Sequence, residues 1–293
     1  MKIKYFIKAI IILFLFATNM IAQGDIITAK EYKALKKSTD NLTIIDASKT
    51  KLYKKAHLKG AINVPYKILN RKKEEVGFKG LLKSPDELAK IFGEKGVSNN
   101  DYIVVYDEGS QKYSSRVYWV LKYLGVRDVK ILHKENSSWR KARLPLTSAI
   151  TKKDVKDFAI NVDNTVLATI DDVESNLKNE DVVLIDARGE EEYSGVMHEK
   201  KNKYSKGHIP GAIHIGFIEV LDKDKSFKSI EEMQKLADAN GFKPEKTYIV
   251  YCKTGVKASV IFVALKNILN YKDVKLYDGA YLEWEFKGKP LEK

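Results

Sequence analysis

Two stretches of this chain repeat one another. Residues 102–146 begin YIVVYDEGSQKYSSRVYW and residues 247–291 begin TYIVYCKTGVKASVIFVA; they align without a gap at an offset of 145, Tyr102 lying over Thr247. Tyr106 falls on Tyr251, Asp128–Val129 on Asp273–Val274, Trp139 on Trp284 and Pro145 on Pro290, but Asp107 falls on Cys252. Upstream the match resumes with altered spacing. Residues 42–66 answer residues 182–217, so that Asp46 pairs with Asp186, His57 with His208, and Gly60–Ala61–Ile62 with Gly211–Ala212–Ile213. The second copy carries extra residues between its Asp and its His. Solenoid repeats recur every ~20–50 residues, so a period this long means a whole domain present twice.

Both copies run through the same order of elements. A helix is expected over 28–37 and 170–178, then a buried strand ending in Asp (LTIID; VVLID). A turn with His and Gly leads to a short strand (AINV; AIHI), and helices follow from Ser84–Pro85 and near Ser229. A second apolar strand (YIVVY; YIVY), a loop, an amphipathic helix, a third strand (VKIL; VKLY) and a Trp-containing turn complete the unit. Strands alternating with helices predict parallel pairing in sheets covered on both faces. The expected fold class is α/β, as two tandem domains, each a mostly parallel sheet flanked by helices. The expected boundaries are 24–146 and 167–293, with 147–166 as linker. At 293 residues and 44% hydrophobic, the chain is long and apolar enough for two cores.

Residues 1–23 read as a targeting segment. Lys2, Lys4 and Lys8 precede the apolar run Ala9–Ala17, and small residues follow around Ala22–Gln23–Gly24. The run is short for a membrane span and fits a cleaved export signal, the alternative being a retained anchor. No cysteine follows it, which argues against lipidation. The expectation is an exported protein, periplasmic if the cell is Gram-negative, with no stable membrane insertion after cleavage.

The formal charge of +13 comes from scattered lysines, with no basic arm and no nucleic-acid-binding motif. It reads as a solvated basic surface with a general attraction for small anions, and nucleic acid is not expected as a partner. The single cysteine forbids an internal disulfide and an internal dithiol couple. Cys252 directly follows an apolar strand, with Lys253, Gly255 and Lys257 close behind. Open α/β sheets bind ligands at the carboxyl ends of their strands. Glycine permits a tight bend there, and the first amides of the next helix lack intrahelical partners. Two cations and those amides favour the thiolate and would also stabilise a charged persulfide. Cys252 therefore reads as a nucleophile.

The motifs DAR (186–188), GHIPGAIHI (207–215), CKTGVKAS (252–259) and YDGAYLEW (277–284), with HLKGAINV in the first copy, carry a resemblance. The chain resembles the tandem-domain rhodanese family of thiosulfate and 3-mercaptopyruvate sulfurtransferases over nearly all of residues 24–293. That resemblance implies an inactive first domain, with Asp107 at the cysteine position, and a catalytic second domain. It implies a persulfide on Cys252, cradled by the amides of Lys253, Thr254, Gly255, Val256 and Lys257. Lys253, Lys257 and Arg188 would bind the donor, a small anion, and the sulfur would pass to a thiophilic acceptor such as cyanide or a thiol; a protein acceptor is compatible. No cofactor and no metal are implied. Lys253 matches family loops of the Cys-Arg-Lys-Gly type, which take thiosulfate, whereas Thr254 keeps a hydroxyl where mercaptopyruvate-type loops have serine. Thiosulfate is the favoured donor and 3-mercaptopyruvate the alternative. A persulfide carrier without turnover is the non-enzymatic alternative. A cysteine phosphatase is disfavoured, because only four residues separate Cys252 from Lys257 and no arginine closes the loop. His57 and His208 are expected to brace their turns, with His57 also a candidate to face the cleft between domains. Asp186 is expected to brace its loop, and Trp119, Trp139 and Trp284 to pack.

Overall fold

A computed structural model describes residues 24–133, 136–196 and 206–293. The expected export signal at 1–23 and most of the insertion in the second copy, 197–205, lie outside the described residues.

Apolar runs of five residues become the central strands. In the first half, β1 (Ile26–Ile27), β2 (Leu42–Asp46), β4 (Ile62–Asn63), β5 (Tyr102–Tyr106) and β6 (Val129–Leu132) form a parallel sheet ordered β1-β6-β5-β2-β4. Between them, β3 (His57–Leu58) pairs antiparallel with β7 (Leu146–Thr147). In the second half, β8 (Leu167–Ala168), β9 (Val182–Asp186), β10 (Ile213–His214), β11 (Thr247–Tyr251) and β12 (Val274–Tyr277) form a parallel sheet ordered β8-β12-β11-β9-β10. The duplication thus yields the same topology twice. Register is equivalent too: Asp46 lies beside Tyr106, and Asp186 beside Tyr251, at the carboxyl ends of the central strands. Asp107 and Cys252 therefore leave their sheets at matching points.

Helix starts follow side-chain chemistry. Thr28, Ser84, Thr169 and Ser229 each cap a helix and are answered three residues on by Glu31, Glu87, Asp172 and Glu232. Each reciprocal pair satisfies amides that a helix start leaves bare. One expected turn is instead a helix in both halves, Asn136–Ala142 and Ala280–Phe286. In the second, Trp284 is fully buried and donates its Nε1–H to the Pro290 carbonyl at 2.6 Å. That anchor fixes a helix of about two turns, too short to show periodicity in sequence. The edge strands β1 and β8 were equally invisible, because two residues carry no alternation.

The halves share one apolar core. The helix Lys112–Tyr123 packs against the helix Ala258–Val263, and Val117 and Leu121 belong to the same buried cluster as Ile261 and Leu265. The helix from Ala258 runs on through a π-helical stretch, Ala264–Ile268. The connection between the halves is a strap rather than a loose tether. Lys156 N–H bonds the Gly93 carbonyl at 3.1 Å, Asp163 N–H bonds the Tyr123 carbonyl at 2.8 Å, and Lys156 Nζ reaches both oxygens of the buried Asp101 at 2.7 and 2.9 Å. Gly125, at φ +83°, admits the strap, since a Cβ there would overlap the Asn161 carbonyl oxygen. Gly125→Ala should therefore lower unfolding stability by about 1–3 kcal/mol, read by urea denaturation, through left-handed strain and loss of the strap contact.

Candidate active site

Cys252 follows β11 and is only 1% exposed, so its sulfur sits at the bottom of the site. The loop bends at Gly255, φ +77°, which brings the Lys257 N–H to 3.3 Å from Sγ. Tyr281 and Leu282 donate their amides to the Cys252 and Lys253 carbonyls at 2.9 and 3.3 Å, fixing the loop to the helix after β12.

The other half shows what such a loop can hold. Asp107 is buried, and its Oδ1 accepts from the amides of Gly109 (2.7 Å) and Gln111 (3.2 Å). Its Oδ2 accepts from the amides of Tyr113 (3.0 Å) and Ser114 (3.2 Å) and from the Ser110 hydroxyl (3.1 Å). The carboxylate oxygens stand two bonds beyond Cβ, the distance at which the outer sulfur of a cysteine persulfide would stand. A negatively charged tip at this point of the fold is thus met by converging backbone donors.

Two cations of the site, Arg188 and Lys257, are each tied to a carboxylate. Arg188 is buried, its Nε and Nη2 gripping Asp186 at 2.6–3.0 Å and its Nη2 reaching the Gly207 carbonyl at 2.7 Å. Its plane lies 3.9 Å from the Tyr281 ring centroid. Asp186 also accepts the Arg188 amide at 2.9 Å, so it braces its loop and holds the arginine. The equivalent Asp46 has Ser48 where the second half has Arg188, and burial pushes its carboxyl up. Lys257 Nζ lies 3.3 Å from Glu192 Oε2. Burial opposes the charge on Glu192, but Lys257, the Gly189 amide and Arg188 hold its carboxyl below the usual carboxylate range.

Lys253 and Lys257 do not face each other across one donor. Lys257 lines a cavity of about 490 Å³ with Arg188, His214 and Phe217. Lys253 and Thr254 line a separate one of about 550 Å³ with Lys73, Lys79 and Lys206, all three of them cations. Five consecutive loop positions necessarily splay their side chains around a tight bend, so a pair four apart need not converge. Val256 is buried and carries no polar side-chain group to the site. His57 does not face the cleft: it is 1% exposed, stacked 3.7 Å from Tyr53, and held by the Tyr53 and Ala149 carbonyls at 2.7 and 3.1 Å. His208 stacks in the same way on Tyr193, at 3.8 Å.

The first half supplies residues that sequence reading missed. Gly80 packs directly on Thr254, where a Cβ would come within 2.7 Å of the threonine Cβ. Tyr66 lies where the charges of both Cys252 and Arg116 act on it, and burial raises its hydroxyl pKa. Arg116 itself touches Gly255. One signal was available: an arginine at 116, where the repeat has Ile261 in a core helix. Among the described residues, no group of three or more His, Cys, Asp or Glu could hold a metal ion, and no helix is long and apolar enough to cross a membrane.

Comparison with known proteins agrees with this architecture. A family profile described as a rhodanese-like domain matches twice, over residues 28–142 and 169–287. A provisionally named thiosulfate sulfurtransferase of Mycolicibacterium smegmatis is 26% identical over 279 residues, covering 92% of this chain and 99% of its own. The sulfur carrier protein TtuD of Thermus thermophilus is 30% identical over 220 residues, covering 72% and 77%. The structure of SseA from Escherichia coli, described as a 3-mercaptopyruvate sulfotransferase, superposes with a TM-score of 0.77 at 25% identity, over 88% of this chain and 98% of its own. With both halves matched and the two sheets built alike, the chain belongs to the rhodanese family, as two rhodanese-like domains in tandem.

Proposed function

We propose that this sulfurtransferase carries sulfane sulfur from thiosulfate, through a persulfide on Cys252, to cyanide or a thiol acceptor. The observation that carries the reading is the Asp107 loop, where amides converge on a negatively charged tip at the position equivalent to Cys252. In the first step the Cys252 thiolate attacks the outer sulfur of thiosulfate. A new S–S bond forms, the old one breaks, and sulfite leaves with the electron pair. In the second step the acceptor attacks the outer sulfur of the persulfide, and the thiolate departs. The amides of Lys253, Thr254, Gly255, Val256 and Lys257 are assigned to the persulfide, replacing water by fixed dipoles.

Lys257 is assigned to the sulfonate end of the donor, for which it must exchange its Glu192 partner. Arg188 forms the wall of the same cavity, held by Asp186. Lys253, with Lys73, Lys79 and Lys206, gives the second cavity a positive rim suited to an anionic or thiol acceptor approaching from the other side of the loop. A compact dianion suits a lysine point charge, which favours thiosulfate. The likeness to SseA keeps 3-mercaptopyruvate as the alternative donor, and the likeness to TtuD keeps a protein acceptor as a route for the sulfur. The basic-then-apolar start of the chain supports export, to the periplasm in a Gram-negative cell, with the segment 1–23 as signal.

Incubation of the protein with thiosulfate should add one sulfur to the intact mass, and Cys252→Ser should abolish both that addition and thiocyanate production from thiosulfate and cyanide. A Cys252→Ser variant with full activity would refute the site. Turnover with 3-mercaptopyruvate exceeding that with thiosulfate would reverse the donor order, and loading without turnover would make the protein a carrier. Lys257→Met should raise the thiosulfate KM about tenfold, the worth of one charge-assisted contact of about 1.4 kcal/mol, whereas Glu192→Gln should lower it by freeing the lysine. Asp107→Ala should leave turnover nearly unchanged while costing about 1–3 kcal/mol of stability, because buried amides lose their acceptor; thermal unfolding beside a thiocyanate assay reads both.

A further inference from the structure

The cysteine-free half presses a charged side chain against the reactive loop. Arg116 lies on the helix Lys112–Tyr123, and its side chain is fully buried. Its Nη2 donates to Asp278 Oδ1, on the loop after β12, and to the Gly80 carbonyl at 3.2 Å. The other oxygen of Asp278 accepts the Leu82 amide at 2.9 Å. One edge of the guanidinium thus joins residues 80–82 of the first half to the second half. The plane lies 4.8 Å from the Trp119 ring centroid.

The guanidinium's two other nitrogens are unsatisfied. Nε and Nη1 have no hydrogen-bond partner among the described residues, and an orphaned buried donor on a cation is costly. Nη1 is aimed at the Cys252 loop: a Cβ on Gly255 would stand 2.7 Å from it and 3.2 Å from Cζ. The second half has Ile261 at the matching position, so the arginine is not a requirement of the repeat itself.

We infer that Arg116 is a positioning residue for sulfur transfer at Cys252. It backs the loop at Gly255, keeps the amides turned toward the sulfur, and places a cation behind the loop when a charged sulfur is loaded. The inference rests on the persulfide reading above and adds to it the first half as a working part of the site.

The test compares wild type, Arg116→Lys, and the double variant Arg116→Met with Asp278→Leu, by rate of sulfur addition from thiosulfate and by thermal unfolding. Replacing a buried ion pair by apolar groups of similar size is often neutral for stability. Here the exchange also strips the Leu82 amide of its acceptor, so the double variant should lose about 1–3 kcal/mol of stability while staying folded at the assay temperature, and should load sulfur about 100-fold more slowly, with the thiosulfate KM within about threefold. A merely structural pair would show that loss of stability alone, with the folded variant loading sulfur at the wild-type rate. Arg116→Lys keeps the charge but not the planar fork, and should load about tenfold more slowly. A folded double variant that loads within about threefold of wild type overturns the inference. If the double variant does not fold, Arg116→Lys loading at the wild-type rate overturns it instead. Wild-type protein that adds no sulfur would refute the persulfide reading itself, which separates the two failures.

Discussion

The site depends on the loop amides beside the side chain that follows the central strand of each sheet, four of them reaching Asp107 and that of Lys257 reaching Cys252. The parallel register sets that point, because β5 and β11 end level with Asp46 and Asp186. A loop bent back over the strand end then has its N–H groups directed inward, where no water competes for them. In the first half these donors hold a carboxylate that is part of the chain. In the second half the same place is taken by a thiol, one bond shorter, which leaves room for one more atom. The two loops differ at most positions, and Asp107 in the one against Cys252 in the other sets the filled loop apart from the loop with room beyond its thiol.

Around this point the charges are arranged in pairs. Arg188 with Asp186, Lys257 with Glu192 and Arg116 with Asp278 all lie within the shell of the loop. Desolvation explains the pairing, since an isolated buried cation would lose its hydration without return. The pairs differ in exposure, and the difference sorts their roles. Arg188 and Arg116 are sealed, and so act as fixed walls, while Lys257 is about a third exposed and can exchange its partner for an anion.

Much of the fold was legible in the residues. The offset alignment made the two halves one problem, the five-residue apolar runs marked the central strands, and Ser84–Pro85 and Ser229 marked helix starts through their capping chemistry. Cys252 stood out because its counterpart is Asp107, which removes packing as the reason for a cysteine. Less was legible where elements are short or contacts distant. Two-residue edge strands and seven-residue helices around Trp139 and Trp284 carry too little periodicity to read. Lys253 and Lys257 look like a clamp on paper, but a tight bend sends them into separate cavities.

From the sequence alone came the duplication, the order of elements along each unit, and Cys252 as the candidate nucleophile, because these reside in local pattern and in comparison of the chain with itself. Only the tertiary structure decided that the cysteine-free half completes the site. Gly80, Tyr66 and Arg116 lie 136–186 positions from Cys252 in the chain, Arg116 nearest and Tyr66 farthest. They reach it through the shared core between the two interface helices, and no spacing or periodicity records a contact made by two units folding against each other.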